Sequence, residues 1–168
     1  MSIFDPLGLL SHFLVHGRII VQDIWRTQAG WDQEIVGDIL GKWSRWIAQF
    51  NKLERVRINR PYFPGFSTSE IGPLQLHVFV DASEEAYACV AYFRAEIKNQ
   101  VHCALVMAKS KVAPLKALSI PRLELQGALL GARMKNPSSV RHCGPTRKLF
   151  WRGLHQITVD TDSLSPSE

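Results

Sequence analysis

The sequence predicts an α/β fold: an N-terminal helical segment over residues 1–60, a linker over 61–73, then a three-stranded antiparallel meander, a helix and a candidate fourth strand. Three observations predict it. Leu74 to Ser83, LQLHVFVDAS, alternates with period two, Leu76, Val78 and Val80 on one face and His77 and Phe79 on the other, and places Asp81 at its end. Two further strand-like runs follow at short spacing, which suits hairpin connections. Before Leu53, by contrast, the apolar residues recur at helical spacing.

Composition sets the class. With 168 residues the chain has room for one ordinary domain and an attached piece. Hydrophobic residues at 46% against 21% charged exclude an intrinsically disordered chain. The formal net charge of +5 favours a polyanionic partner. Cys89, Cys103 and Cys143 are odd in number and form no CxxC; Cys89 and Cys103, within apolar runs, are expected as small buried thiols in a reducing compartment. The start MSIFDPLGLL has no basic n-region, and no apolar run approaches the ~18 residues of a membrane span, so an intracellular location is expected.

In the N-terminal segment Asp5-Pro6-Leu7-Gly8 is turn-prone, and the run from Leu9 to Trp25 places Phe13, Ile20 and Ile24 with Leu10, Gly17 and Val21 at helical spacings. A second helix is expected from about Gln33 to Leu53, with Ile39, Trp43, Trp46, Ile47 and Phe50 as its apolar stripe and Asp38, Lys42, Arg45 and Gln49 on the wet face. Trp43 and Trp46 read better as core residues than as a platform for bases. His12 and His16 stand at i,i+4 but lack the intervening glutamate of an HExxH helix, so no metal is expected there. From Leu53 to Gly72 the chain turns basic with Arg55, Arg57 and Arg60, then breaks at Pro61, Pro64, Gly65 and Gly72, which marks the linker.

After the opening strand, Glu85 to Glu96 gives a second strand that is apolar on both faces, Tyr87, Cys89, Ala91 and Phe93 alternating with Ala88, Val90 and Tyr92, as suits a central strand. Lys98-Asn99-Gln100 makes a polar turn, and Val101 to Ala108 gives the third strand. The loop from Lys109 to Lys116 carries Lys109, Lys111 and Lys116 around Pro114, either a phosphate-binding rim or a solvated loop. Pro121 in a first turn, with Leu125, Ala128, Leu129 and Ala132 at helical spacing behind it, starts a helix that holds Glu124 in its first turns.

Hydrolysis of a phosphodiester by two divalent ions about 4 Å apart needs several carboxylates from different elements. Asp81 at a strand end and Glu124 on the helix after the third strand come in the right order to face each other. The plainer alternative is that Glu124 merely favours a helix N-terminus, as acids do.

The motifs IFDPLGLLS, W-R-T-x-x-x-W-D, H-V-F-V-D-A-S-E-x-A-Y-A, A-K-S-K-V-A-P-L-K and S-I-P-R-L-E-L-x-x-A-L-L-x-A-R occur in order over residues 3 to about 136. Together they resemble the polyprotein of BEL/Pao-type LTR retrotransposons, where the end of reverse transcriptase runs into the ribonuclease H domain. The resemblance implies that residues 1–60 are the tail of the polymerase region and that a partial ribonuclease H-like fold, C-terminally truncated, begins near residue 74. It implies Asp81 and Glu124 as the first and second metal-binding acids, Mg²⁺ or Mn²⁺ as the metal, an RNA–DNA hybrid as substrate, and the polymerase and integrase regions of the same polyprotein as partners. No YxDD motif is present, so the chain cannot polymerise.

In that family the next strand reads roughly F-W-T-D-S and carries the third acid. Here Phe150-Trp151 is followed by Arg152-Gly153-Leu154, and Thr161-Asp162-Ser163 comes ten residues later, after the strand-like Gln156 to Val159. Taking Asp162 as the ligand restores three acids; aligning on Phe150-Trp151 leaves two. Two functions therefore compete. One is a Mg²⁺-dependent nuclease cutting the RNA strand of a hybrid, with Asp81, Glu124 and Asp162 on the metals and Lys109, Lys111 and Arg122 on phosphates. The other is a basic nucleic-acid-binding module without catalysis. The ambiguous third acid weighs toward a domain descended from the nuclease but inactive or incomplete as it stands.

Overall fold

The computed structural model describes residues 3–59 and 61–134 in full and residues 148–153 as backbone. Among these, four strands form one sheet: β1 (Gln75–Ala82), β2 (Ala86–Ile97), β3 (Gln100–Val112) and β4 (Lys148–Gly153), in the order β3-β2-β1-β4. β2 pairs antiparallel with both β1 and β3, whereas β4 runs parallel to β1. A parallel neighbour needs a crossover connection, and the helix α4 (Ile120–Met134) lies between β3 and β4 in the chain. Three helices precede the sheet: α1 (Ser11–Arg26), α2 (Gly37–Ala48) and the single turn α3 (Phe50–Leu53).

The meander forms where the alternation placed it. Ile97 pairs with Gln100 across a two-residue turn in which Lys98 and Asn99 have φ of 51° and 62°. Positive φ at both central residues is the turn whose twist matches the flanking strands, and Asn tolerates it well. On β2, Cys89, Ala91, Phe93, Ala95 and Ile97 are buried and share a face with Leu76 and Val78 of β1. That face is covered by α4 through Leu123, Gly127, Leu130 and Met134. Phe93, completely buried, stands at the middle of this core.

The α4 stripe corrects the sequence reading. Leu125 and Leu129, which helical spacing marked as an apolar stripe, are 68% and 46% exposed. Both stripes are apolar, but Gly127 and Gly131 let the helix backbone approach the sheet more closely than the leucine stripe would. Three further boundaries moved. β3 runs on to Val112, so Lys109 and Lys111 belong to a strand and not to a loop. The second helix begins at Gly37, with φ of 67°, and breaks after Ala48. Cys103 is exposed and only Cys89 of the two is buried, because Cys103 pairs with Arg94 on the sheet face away from α4. Cys143 lies outside the described residues.

The N-terminal helix docks on β3, the edge strand. Asp5 folds the turn that leads into the helix, its carboxylate oxygens accepting from the Leu9 and Leu10 backbone N–H groups at 2.9 Å each. The Ala108 N–H donates to the Leu7 carbonyl at 2.8 Å, and Gly8, with φ of 70°, abuts the Ala108 carbonyl so closely that no side chain fits there. Further along, Ser11 bonds Ser110 hydroxyl to hydroxyl at 2.7 Å, Arg18 donates to the Ser110 carbonyl and Gln22 to the Ala113 carbonyl. These contacts occupy part of a sheet edge that would otherwise offer its backbone groups to other chains. On its other side α1 holds α2 through aromatic packing: Phe13 stacks on Trp46 at 5.3 Å and meets Phe50 edge-on at 5.0 Å, while the Trp46 indole N–H donates to the Phe13 carbonyl. Trp43 and Trp46, expected as core residues, are half-buried and pack against other aromatic rings.

Candidate functional site

Asp81 stands next to last in β1, and period-two alternation sets it on the face opposite Val80, together with His77 and Phe79. It is exposed, and its Oδ1 accepts from the following Ala82 backbone N–H at 2.8 Å. Across the sheet it is level with Ala88 on β2 and Ser110 on β3.

Gly127 brings α4 to this end of the sheet. A methyl group there would lie 2.6 Å from Val80 Cγ1, 3.6 Å from the Asp81 carbonyl oxygen and 3.7 Å from that of Ala88. The helix backbone therefore rests on the strand end that carries Asp81. Glu124 is one turn nearer the helix N-terminus, half-buried beside the fully buried Leu123. Glu124 thus comes from the helix on the Val80 face of β1, whereas period-two alternation sets Asp81 on the opposite face of the same strand end.

The basic residues distribute differently. Lys109 is level with Cys89 and Val80, and Lys111 with Tyr87 and Ala82, so both alternate onto the α4 face and away from the Asp81 face. Both are exposed, as is Arg122. Arg122 and Glu124 project about 200° apart around α4, from its turn of about 100° per residue.

On the Asp81 face a groove of about 440 Å³ opens between α1 and the sheet, lined by His12, Val15 and His16 on one side and by Phe79, Asp81 and Tyr92 on the other. Sequence spacing had set His12 and His16 aside. Nothing short of the docking of α1 on β3 could bring them to the same groove as Asp81. His16 Nδ1 is 2.7 Å from the His12 carbonyl, which can only accept, so this ring nitrogen carries the proton.

Phe150-Trp151 lies in β4, with Phe79 level with Arg152 and Val80 with Gly153. The last described positions of β4, beside the Asp81 end, are therefore an arginine and a glycine. Asp162 and the stretch from Gln156 to Val159 lie outside the described residues. Among the described residues no three His, Cys, Asp or Glu side chains come together as a metal site. No described helix is long and apolar enough to cross a membrane.

Compared with known protein families, residues 1–143 match the model described as the Pao retrotransposon-like RNaseH-like domain. No curated protein matches the chain.

Proposed function

The chain belongs to the Pao retrotransposon-like RNaseH-like domain family, and we propose that it serves a retrotransposon polyprotein by holding an RNA–DNA hybrid at the Asp81 end of the sheet. The observation that carries this reading is the seating of α4, by Gly127, on the strand end that bears Asp81, with Glu124 one turn away. Lys109, Lys111 and Arg122 supply exposed positive charge for the phosphates, consistent with a net charge of +5. The polymerase and integrase regions of the same polyprotein are the expected protein partners.

Cleavage is a separate matter from binding. Mg²⁺ or Mn²⁺ is the ion such a centre would use, with Asp81, Glu124 and Asp162 as the residues to hold it; because alignment of the sequence on Phe150-Trp151 leaves two acids, the domain is read as binding hybrid without sustained turnover. The test is incubation of a labelled RNA–DNA hybrid with Mg²⁺, the wild-type chain beside Asp81→Asn. Equal and negligible cleavage is expected. Cleavage by the wild type that Asp81→Asn abolishes would overturn the non-catalytic reading and restore Asp162 as third ligand to be tested by Asp162→Asn.

A further inference from the structure

Building on the reading of the domain as a hybrid-binding one, we propose that Arg18 of α1 joins Lys109 and Lys111 of β3 in a site for one phosphodiester group, so that the N-terminal helical segment carries part of the nucleic-acid interface. A pocket of about 220 Å³ opens where α1 and the turn before it meet the outer edge of β3, with Asp5, Ser11, Arg18, Lys109, Ser110 and Lys111 in its walls. At about 30 Å³ for each water, that is room for a phosphate group and several waters. Lys109 and Lys111 are two residues apart on one strand, so they share a face with their Cα atoms about 7 Å apart. Arg18 comes from a different element, and its Nη1 donates to the Ser110 carbonyl at 3.1 Å, which sets the guanidinium beside the residue that separates the two lysines.

The joint that gathers these charges needs no ligand to form. Ser110 is buried, accepts from the Ser11 hydroxyl at 2.7 Å and donates to the Ser11 carbonyl at 3.1 Å, so strand and helix are fixed to each other at this point. Arg18, Lys109 and Lys111 are all exposed, and among the described residues none of them pairs with a carboxylate at ion-pair distance. Asp5, the acid in the pocket wall, holds the Leu9 and Leu10 backbone N–H groups with its two oxygens. Three like charges gathered in this way repel one another, and a bound anion relieves the repulsion. The Ser110 carbonyl takes one of the five guanidinium N–H groups, and the planar fork that remains matches phosphate oxygens in a way a lysine ammonium cannot.

The experiment is a titration of the full chain against a fluorescently labelled RNA–DNA hybrid at rising salt. Arg18→Gln is expected to weaken binding about tenfold and to lower the slope of log affinity against log salt by about one. Arg18→Lys keeps the slope, because the charge stays, and loses part of the affinity with the fork. Lys109→Gln with Lys111→Gln weakens binding in the wild-type background, and by a smaller factor in the Arg18→Gln background, because the three cations serve one phosphate. Lys52→Gln removes the same charge from an exposed position elsewhere and leaves affinity and slope unchanged. Circular dichroism and the thermal midpoint establish that each variant is folded, and the lysine pair carries the test if Arg18→Gln is not. Wild-type affinity and slope in a folded Arg18→Gln chain, or in the lysine pair, overturn the assignment alone. So does a Lys52→Gln chain that loses as much as Arg18→Gln, and so do Arg18 and lysine effects that simply multiply. A wild-type chain that binds no hybrid overturns the hybrid-binding reading itself, and this assignment with it.

Discussion

Gly127 seats α4 on β1, and replacing it measures how tightly. In Gly127→Ala the new methyl would start 2.6 Å from Val80 Cγ1. Carbon atoms in contact rest about 3.5–4.0 Å apart, so the gap must open by about 1 Å. Val80 is β-branched with one strongly preferred rotamer in many settings, and the Asp81 and Ala88 carbonyl oxygens at 3.6 and 3.7 Å leave little room for the methyl to slide aside. Overpacking of this kind costs about 1–3 kcal/mol, while alanine in place of glycine inside a helix returns about 1 kcal/mol. The expected net loss is about 0–2 kcal/mol. Val80→Ala, at a half-buried site, is itself expected to cost about 1–2 kcal/mol. In the double variant the methyl added at Gly127 would occupy the space that valine vacates, so the combined loss should fall short of the sum of the singles by about 1 kcal/mol or more. Urea unfolding curves for the four chains, with unchanged slopes, read these values directly. Singles that add to within about 0.5 kcal/mol, or a Gly127→Ala chain about 1 kcal/mol more stable than wild type, would refute the close seating of α4.

Other outcomes follow from the same packing. Phe93→Ala empties the completely buried centre of the core and should cost about 3–5 kcal/mol in the same unfolding assay. Gln22→Ala leaves the Ala113 carbonyl without its 2.5 Å donor and should loosen α1 from β3 by about 1–3 kcal/mol, seen as faster amide exchange in α1 while the β2 amides are unchanged. Glu70 is held down to about 2, first by the Ser67 backbone N–H and then by Lys98, against 4.5 for a free glutamate. A carboxyl lowered on folding stabilises the fold above its unfolded value and loses that effect as pH falls from 4.5 through about 2, so Glu70→Gln should flatten the decline of the thermal midpoint over that range. Burial pushes the Cys89 thiol up to about 11, with its Sγ 3.3 Å from Met134 Sδ, so in the native chain a thiol reagent should label exposed Cys103 well before Cys89. Equal labelling rates for the two would contradict the placement of Cys89 in the core.

The site was legible in the sequence as far as its local signals reached. Period-two alternation places Asp81 at a strand end because a strand repeats every two residues, whatever packs on it. Glu124 was found because proline marks a helix start within a few residues. The histidines of the groove were not legible as its wall. His12 and His16 are separated from Asp81 by some 65 to 69 residues of chain, and nothing local to α1 encodes the edge strand on which it docks. The lysines were misread for a related reason. Polar residues on an exposed edge strand look like a loop, and only the pairing of Lys109 and Lys111 with Cys89 and Tyr87 shows that the strand continues.

By itself, then, the sequence determined the family motifs, the meander with its Lys98-Asn99 turn, the helix that follows it, and the acids at the ends of two elements. All of these are written in spacings of a few residues. Tertiary structure alone decided which side of α4 faces the sheet, since Leu125-Leu129 and Leu123-Leu130 are both apolar and the choice falls to the glycines that permit close approach. It also decided what stands beside Asp81. A parallel pairing between β1 and β4 joins residues more than 70 positions apart, and its register follows from how the strands fit side by side, so that Arg152 and Gly153 come level with Phe79 and Val80.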